Sequence, residues 1–472
     1  MKEECGVYGV YGCKDAAKLC YLGLYALQHR GQESAGIVSA EGKHFYAAKG
    51  LGLVPEVFNN ENLAYLKGSR AIGHVRYSTT GLSDNISNVQ PLYSNTSKGK
   101  IAIAHNGNLT NSYDIFQSLN QRGALFQSTV DSEVILHLIS RCEGNDIVPI
   151  LQKTLLKIEG AYSLVVLGEN YLVAARDPSG FRPLVIGKLG DGYIFASETC
   201  ALDLVSAKYI REVEPGEIVL VNEKGLSSHR ITSKPKPNFC IFEHVYFSRP
   251  DSIVFSKCVH NVRKSFGKML AKEHPIDADI VISIPDSGNS AALGYAEESG
   301  IPFEFGMTRN RYVGRTFIQP SQKIRDFGVR VKLNPVRSVL EGKRVIVVDD
   351  SIVRGTTSKR RVHALRDAGA KEVHLRISSP PVCFSCHFGI DTPKREKLIA
   401  AKRNIKEIME YVGADSLGYL SIKGMFEAIG DNADKKYCAA CFNGKYPVKV
   451  RNKGKFSFES KRIKMYAQKN WY

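Results

Sequence analysis

No run of about 18 apolar residues occurs anywhere in the chain, so no segment is expected to cross a bilayer as a helix. The first residues lack the apolar stretch of a secretion signal. These two absences lead to the expectation of a cytoplasmic protein with no membrane contact, in a compartment where thiols stay reduced. Neither an internal repeat nor a low-complexity tract is present, which excludes solenoids and repeat arrays. Acid is the scarce charge: 47 Asp and Glu stand against 65 Lys and Arg, a formal net charge of +18. An excess of that size admits nucleic acid as a partner, but where the charge lies matters more. Most of it falls in two stretches. Arg309 to Arg337 holds eight Lys/Arg and one Asp, and Asn443 to Tyr472 holds nine Lys/Arg and one Glu. The first lies between α/β units and could meet an anionic small molecule; the second reads as a solvated tail. Zinc-finger, homeodomain and basic-zipper patterns are all missing, so no nucleic acid is expected.

What is present is ordinary globular material. Of 472 residues, 43% are hydrophobic and 24% charged, and the length favours two to three domains on a prior of roughly 150 residues each. Lys234-Pro235-Lys236-Pro237 is the expected seam, because two prolines without amide hydrogens disfavour regular structure. Before it lie many short apolar strands, among them Ile101 to Ala104, Tyr162 to Leu167 and Tyr171 to Ala175, and two helical stretches, Ala16 to Gln28 and Ser132 to Cys142. That mixture predicts a layered sandwich with largely antiparallel sheets. After the seam, apolar runs at Asp279 to Pro285, Val345 to Asp350 and Lys371 to Ser378 alternate with helix-like runs at Ser290 to Glu298 and Ser358 to Ala368. That rhythm predicts a doubly wound parallel sheet, with ligands at the carboxyl ends of its strands.

Eleven cysteines in a reducing compartment point to metal binding or catalysis before disulfides. Cys5, heading Cys5-Gly6-Val7-Tyr8-Gly9, suggests an N-terminal nucleophile whose own α-amine is the base. That chemistry requires removal of Met1 to Glu4, because an acylated amine cannot take a proton. Residues 1–4 are therefore expected to be a propeptide. Taken alone, a lone cysteine is more often a small buried hydrophobe.

Val347-Val348-Asp349-Asp350-Ser351-Ile352-Val353-Arg354-Gly355-Thr356-Thr357 places two carboxylates at a strand tip, followed by a turn into a helix start. Free amides and the helix dipole there favour a phosphate. The acids need hydroxyls or a magnesium ion to coexist with it. A sugar phosphate carrying a metal-bound diphosphate satisfies both. This segment, with Pro285-Asp286-Ser287-Gly288, resembles the type I phosphoribosyltransferases, which bind phosphoribosyl pyrophosphate (PRPP). The resemblance implies that Ser287, Asp349 and Asp350 contact the magnesium–PRPP complex, and that Ser351, Arg354, Gly355, Thr356 and Thr357 hold the 5-phosphate. Arg315, Lys323, Arg325 and Arg330 would lie on a lid that closes over PRPP and excludes water.

In the first half, Arg30 to Ile37, Gly73 to Thr79, His105-Asn106-Gly107-Asn108-Leu109 and Asp131-Ser132-Glu133 follow one another. Singly, the third is a turn signal and the fourth a helix cap. In this order they resemble the class II glutamine amidotransferases over most of residues 5 to 230. The resemblance implies Cys5 as nucleophile and Asn106 with the Gly107 amide as oxyanion donors. It implies Arg76 for the glutamine carboxylate and Asp131 for its ammonium. Arg30 would have a structural or substrate-closing part, and His74 and His105 read as structural.

Cys383-x-x-Cys386 and Cys438-x-x-Cys441 by spacing alone propose a four-cysteine zinc site. The chain as a whole resembles the amidophosphoribosyltransferases, whose cluster-bearing forms place cysteines as Cys240, Cys386, Cys438 and Cys441 stand here. That implies a [4Fe–4S] cluster, which all-thiolate ligation suits. The resemblance further implies an N-terminal-nucleophile sandwich over 5–234 and a phosphoribosyltransferase sheet with the basic tail over 238–472. The implied reaction passes ammonia from glutamine to PRPP, giving 5-phosphoribosylamine, glutamate and diphosphate, the first committed step of purine synthesis. Homotetramers and inhibition by purine nucleotides are implied as well. The rival readings are another class II amidotransferase, which should lack Val347 to Thr357, and a PRPP-binding nucleic-acid regulator, which has no use for Cys5, Arg76, Asn106 and Asp131 together.

Overall fold

The structure is a computed structural model and describes residues 5–78, 80–310, 333–430, 432–451 and 457–458. The leader 1–4, the lid candidates Arg315, Lys323, Arg325 and Arg330, and most of the basic tail lie outside the described residues.

Two antiparallel sheets face each other in the first half. One has seven strands, in the order 208–212, 185–189, 192–196, 6–11, 70–76, 34–41 and 44–51. The other has six, in the order 225–230, 217–222, 172–176, 160–167, 99–109 and 92–96. Alternation explains the layers. In Gly6–Tyr11, Val7 points between the sheets toward Val165 and Leu172, whereas Tyr8 and Val10 meet helix Ala16–Ala26 on the outside. In Gly160–Leu167, Val165 and Leu167 face inward, and Leu164 and Val166 meet helices Glu133–Arg141 and Ile147–Leu155. Strands buried on both faces must be apolar on both, and these are.

The second half is built on a four-stranded parallel sheet, in the order 280–283, 344–349, 372–377 and 416–419. Val281, Ile346 and Val348 pack on helices Val259–Glu273 and Asn289–Ser299. Val345 and Val347 pack on the opposite side with helices Thr356–Asp367 and Ile405–Val412. Both expected architectures are present, and the parallel strands follow the apolar runs to within a residue or two. Residues 234–237 carry neither strand nor helix.

Two local expectations fail. His105-Asn106-Gly107-Asn108 is not a turn; it runs inside strand Gly99–Leu109, paired with Ser163, Tyr162 and Ala161. Gly107 makes this possible with a φ of 148°, at a place where a side chain would strike the Ala161 carbonyl. Asp131-Ser132-Glu133 does precede a helix, but Ser132 makes no side-chain cap and Asp131 turns to the neighbouring strand. The basic tail, where described, keeps Lys445, Lys449 and Arg451 exposed while its aromatic residues dock on the protein. Tyr446 packs on His387 and Phe388, Arg451 pairs with Glu159 at 3.1 Å, and Phe458 stands 5.0 Å from Phe116. Aromatic residues between the cations give the tail something to bury, which charge counting overlooks.

Helices Val259–Glu273 and Asn289–Ser299 approach so closely that a Cβ on Gly267 would meet the Ala291 carbonyl, and one on Gly294 the Lys264 carbonyl. Gly267→Ala is expected to push the pair apart and to destabilise the protein by roughly 1–3 kcal/mol, measured as a lower denaturant midpoint.

Candidate active sites and the four-cysteine centre

Cys5 lies at the mouth of the first sheet. Gly6 pairs with Val75, so the antiparallel register puts Cys5 opposite Arg76. The Cys5 thiol donates to the Tyr77 carbonyl at 3.3 Å, and the Tyr77 amide reaches the sulfur at 3.5 Å. Burial pushes the thiol up to about 11, against the lowering effects of the Tyr77 hydrogen bond and Arg76. Glu33 and Asp131 add to the rise. A thiol so held is protonated at neutral pH and needs a base to react.

Arg76 is buried and donates to the carbonyls of Thr80 at 2.9 Å and Leu82 at 3.2 Å, shaping the loop beyond it. Asn106 comes from the facing sheet and is fully buried. Neither its Nδ2 nor its Oδ1 has a hydrogen-bond partner among the described residues. An unpaired buried amide costs about 1–3 kcal/mol per group, which a structure tolerates where a ligand completes it. Asp131 accepts from the Leu109 amide at 2.8 Å and so ties the start of its helix to the Asn106 strand. His74 and His105 are structural. The His74 Nε2 meets the His105 carbonyl at 3.0 Å, and burial holds His74 down to about 3, hence neutral. The His105 Nδ1 meets the Ser132 hydroxyl at 2.8 Å.

Arg30 is bound into the fold on every side that the described contacts show. Its Nε donates to the Cys5 carbonyl at 3.1 Å, and its terminal nitrogens reach Glu198 at 2.5 Å and Glu243 at 2.7 and 3.0 Å. All three side chains are fully buried. The partners Glu198 and Glu243, with Glu33, which accepts from the Ser78 amide at 2.8 Å, went unseen in the sequence. Glu33 sits inside a quoted motif, but nothing local marks the other two.

The second site lies at the carboxyl ends of two parallel strands. Ile284 donates to the Val348 carbonyl at 2.9 Å, which brings the 285–288 turn against Asp349 and Asp350. Asp350 accepts from Ser287 and Ser351 hydroxyls, each at 2.5 Å. Asp349 pairs with Arg361 at 2.5 Å, a residue one helical turn past the quoted motif that sequence reading missed. Burial raises Asp349 to about 6, with Arg361 opposing the rise and Asp350 adding to it. Gly355, at φ 76°, turns the 350–355 loop into helix Thr356–Asp367. A Cβ there would meet Ile399. Ser351, Arg354, Thr356 and Thr357 thus lie on one loop and helix start above the paired acids, an arrangement suited to a phosphate.

The third group is made of thiols. Cys240 and Cys438 are register partners in a short parallel pair, 239–240 with 437–438. Cys441 feels the charges of Cys240, Cys438 and Cys386, and Cys438 that of Cys386. Burial pushes Cys438 up to about 12. Cys383 points elsewhere, its thiol on the Ala400 carbonyl at 3.4 Å. The described residues contain no group of three or more His, Cys, Asp or Glu already drawn into metal-holding geometry. The donor set still suits a soft metal group in its chemistry: four thiols from three segments, three of them near Cys441, with Cys383 turned away.

The antiparallel sandwich with its buried Cys5, joined to a parallel sheet whose acid-tipped strand turns through Gly355 into a helix, has the architecture of a glutamine amidotransferase coupled to a phosphoribosyltransferase-type domain. A family model described as a glutamine amidotransferase domain matches residues 74–204. The amidophosphoribosyltransferase of Bacillus subtilis is 50% identical over 95% of this chain and 95% of its own. Amidophosphoribosyltransferase 1, chloroplastic, of Arabidopsis thaliana is 54% identical over 95% of this chain and 79% of its own. A solved structure of the glutamine PRPP amidotransferase from B. subtilis, complexed with ADP and GMP, superposes with a TM-score of 0.91 at 49% identity, covering 97% of this chain and 100% of that one. The chain belongs to the amidophosphoribosyltransferase family.

An acid whose folded pKa is raised from 3.8 to about 6 binds more protons in the native than in the unfolded state between those values. Its ionisation therefore lowers stability as pH rises through that window. Ligand-free Asp349→Asn is expected to be more stable than the parent at pH 7.5 by roughly 1–3 kcal/mol, with the advantage vanishing below about pH 4. Thermal melts at both pH values decide; a difference that does not change with pH contradicts the assignment.

Proposed function

We propose that this enzyme hydrolyses glutamine at Cys5 and passes the ammonia internally to PRPP. The overall reaction is L-glutamine + PRPP + H2O giving 5-phosphoribosylamine, glutamate and diphosphate. The observation that carries the reading is the pairing of two sites in one molecule: a buried, base-requiring thiol with a buried amide without partners on the facing sheet, and a serine–diacid cradle on a parallel sheet. Loss of residues 1–4 frees the Cys5 α-amine, whose ordinary pKa of ~7.7–8.0 suits it to take the thiol proton and return it to the leaving ammonia. Asn106 and the Gly107 amide receive the oxyanion, which is why the Asn106 amide is left unpaired without substrate. Arg76 holds the glutamine carboxylate and Asp131 its ammonium.

In the second half Ser351, Arg354, Gly355, Thr356 and Thr357 bind the 5-phosphate. Asp349 and Asp350, with Ser287, would hold Mg2+, which supplies charge for the departing diphosphate. Ammonia attacks the anomeric carbon as the bond to diphosphate breaks. Cys240, Cys386, Cys438 and Cys441 would hold a [4Fe–4S] cluster; the turn of Cys383 toward the Ala400 carbonyl speaks against the zinc site built from two Cys-x-x-Cys pairs. The enzyme then takes part in purine synthesis as its first committed step, with purine nucleotides as feedback inhibitors. A relative is solved with ADP and GMP, and another is described as the allosteric regulatory enzyme of purine biosynthesis. A homotetramer is the proposed assembly. A cytoplasmic location is the proposal, since a thiol nucleophile and an all-thiolate centre both call for a compartment that keeps cysteines reduced.

Cys5→Ala is expected to abolish glutamine-dependent phosphoribosylamine synthesis and keep the ammonia-dependent reaction. Asp349→Asn/Asp350→Asn is expected to do the reverse, sparing glutamine hydrolysis and abolishing diphosphate release. Loss of both activities in either variant would refute the division of labour. Protein purified without oxygen should be brown and contain about four irons per chain; zinc without iron sinks the cluster.

A further inference from the structure

The segment Cys386 to Gly389 belongs to the second half in sequence, yet it lies against the strand that carries Asn106 and Gly107. Three contacts tie it there. The Asn108 Nδ2 donates to the His387 carbonyl at 2.9 Å. The Arg182 Nε and a terminal nitrogen donate to the Phe388 carbonyl at 2.9 and 2.7 Å, and the Phe181 and Phe388 rings stack at 4.3 Å. Gly389, at φ 109°, lies so close that a Cβ there would stand 3.0 Å from the Gly107 Cα and 3.1 Å from its carbonyl carbon. On its other side Asn108 is joined to the glutamine loop, since its Oδ1 accepts from the Thr80 hydroxyl at 3.0 Å, and the Thr80 carbonyl accepts from Arg76.

Asn108 therefore stands between three things: the carbonyl of a remote segment, the loop that Arg76 shapes, and a backbone one residue from the Gly107 amide. We propose that Asn108 and Gly389 are positioning residues for glutamine hydrolysis. The 386–389 segment fixes the backbone of Gly107, and so the direction of its amide, through the Asn108–His387 hydrogen bond and the Gly389–Gly107 contact. The proposal rests on the reading of Asn106 and Gly107 as oxyanion donors. A donor that meets charge only in the transition state acts on turnover rather than on substrate binding, and a small misplacement of such a donor is costly.

Asn108→Asp isolates the contact. It keeps the oxygen that accepts from Thr80 and replaces the donor to His387 with a second oxygen facing that carbonyl. In the full-length protein, kcat for glutamine hydrolysis should fall about tenfold or more, with KM for glutamine within about twofold. Ammonia-dependent phosphoribosylamine synthesis should stay within about twofold. Gly389→Ala, which presses the same segment against the Gly107 backbone without adding charge, should give the same signature. An unchanged kcat in either variant, a loss confined to KM, or an equal loss of the ammonia-dependent reaction overturns the proposal. Failure of the underlying reading is distinguishable: it shows as a parent protein that does not hydrolyse glutamine, whereas failure of this proposal alone shows as an active parent and an unimpaired Asn108→Asp.

Discussion

The structure depends on one buried ion network. Arg30 holds the Cys5 carbonyl with one nitrogen and binds two fully buried carboxylates, Glu198 from the sandwich and Glu243 from beyond the seam. Buried charges are costly unless every hydrogen-bonding atom finds a partner, and removing one member of such a set typically costs roughly 3–5 kcal/mol. Here the partners are numerous. His29, the Arg249 amide and Ser252 also serve Glu198, and Ser248 and Arg182 serve Glu243. Neither half can satisfy these groups alone, so the position of the thiol is set by residues of both.

From Glu243 the same logic runs into the second half. Arg263, buried in helix Val259–Glu273, donates to the carbonyls of His244 and Ser248 and feels the charge of Asp350. Arg182 joins Glu243 to the Phe388 carbonyl and so to the thiol-bearing segment. Three sites that belong to different stretches of sequence are thereby held by one set of buried cations, each with fixed geometry. Guanidinium groups suit that purpose, because one planar fork can serve two or three acceptors at once.

Much of this was legible in the sequence, for physical reasons. Parallel strands buried on both faces must be continuous apolar runs, so Val345 to Asp350 and its neighbours announced the sheet and its acid-tipped ends. The Gly355 turn and the Thr356 helix start followed from the same segment. What stayed hidden was long-range. His105-Asn106-Gly107-Asn108 has the composition of a turn and becomes strand only because the neighbouring strand pairs with it and Gly107 accepts an unusual φ. Glu198, Glu243 and Arg361 carry no local mark, since the choice of a partner tens or hundreds of residues away leaves periodicity untouched. The docking of Tyr446 and Phe458 was hidden too, because the charge around them is counted more easily than the aromatic residues between.

The order in which the chain is made gives the Arg30 network a temporal consequence. Domains fold as units with the N-terminal one first during synthesis. A nascent chain that has emerged only through residue 230 possesses both sheets of the sandwich and lacks Glu243, the 386–389 segment and the tail that lies on Tyr113 and Phe116. At that stage the arginine behind the nucleophile has one carboxylate instead of two. The Arg30 network behind the nucleophile closes only once Glu243, from beyond the seam, has been made, so the first half acquires its final internal contacts after its own sheets are complete.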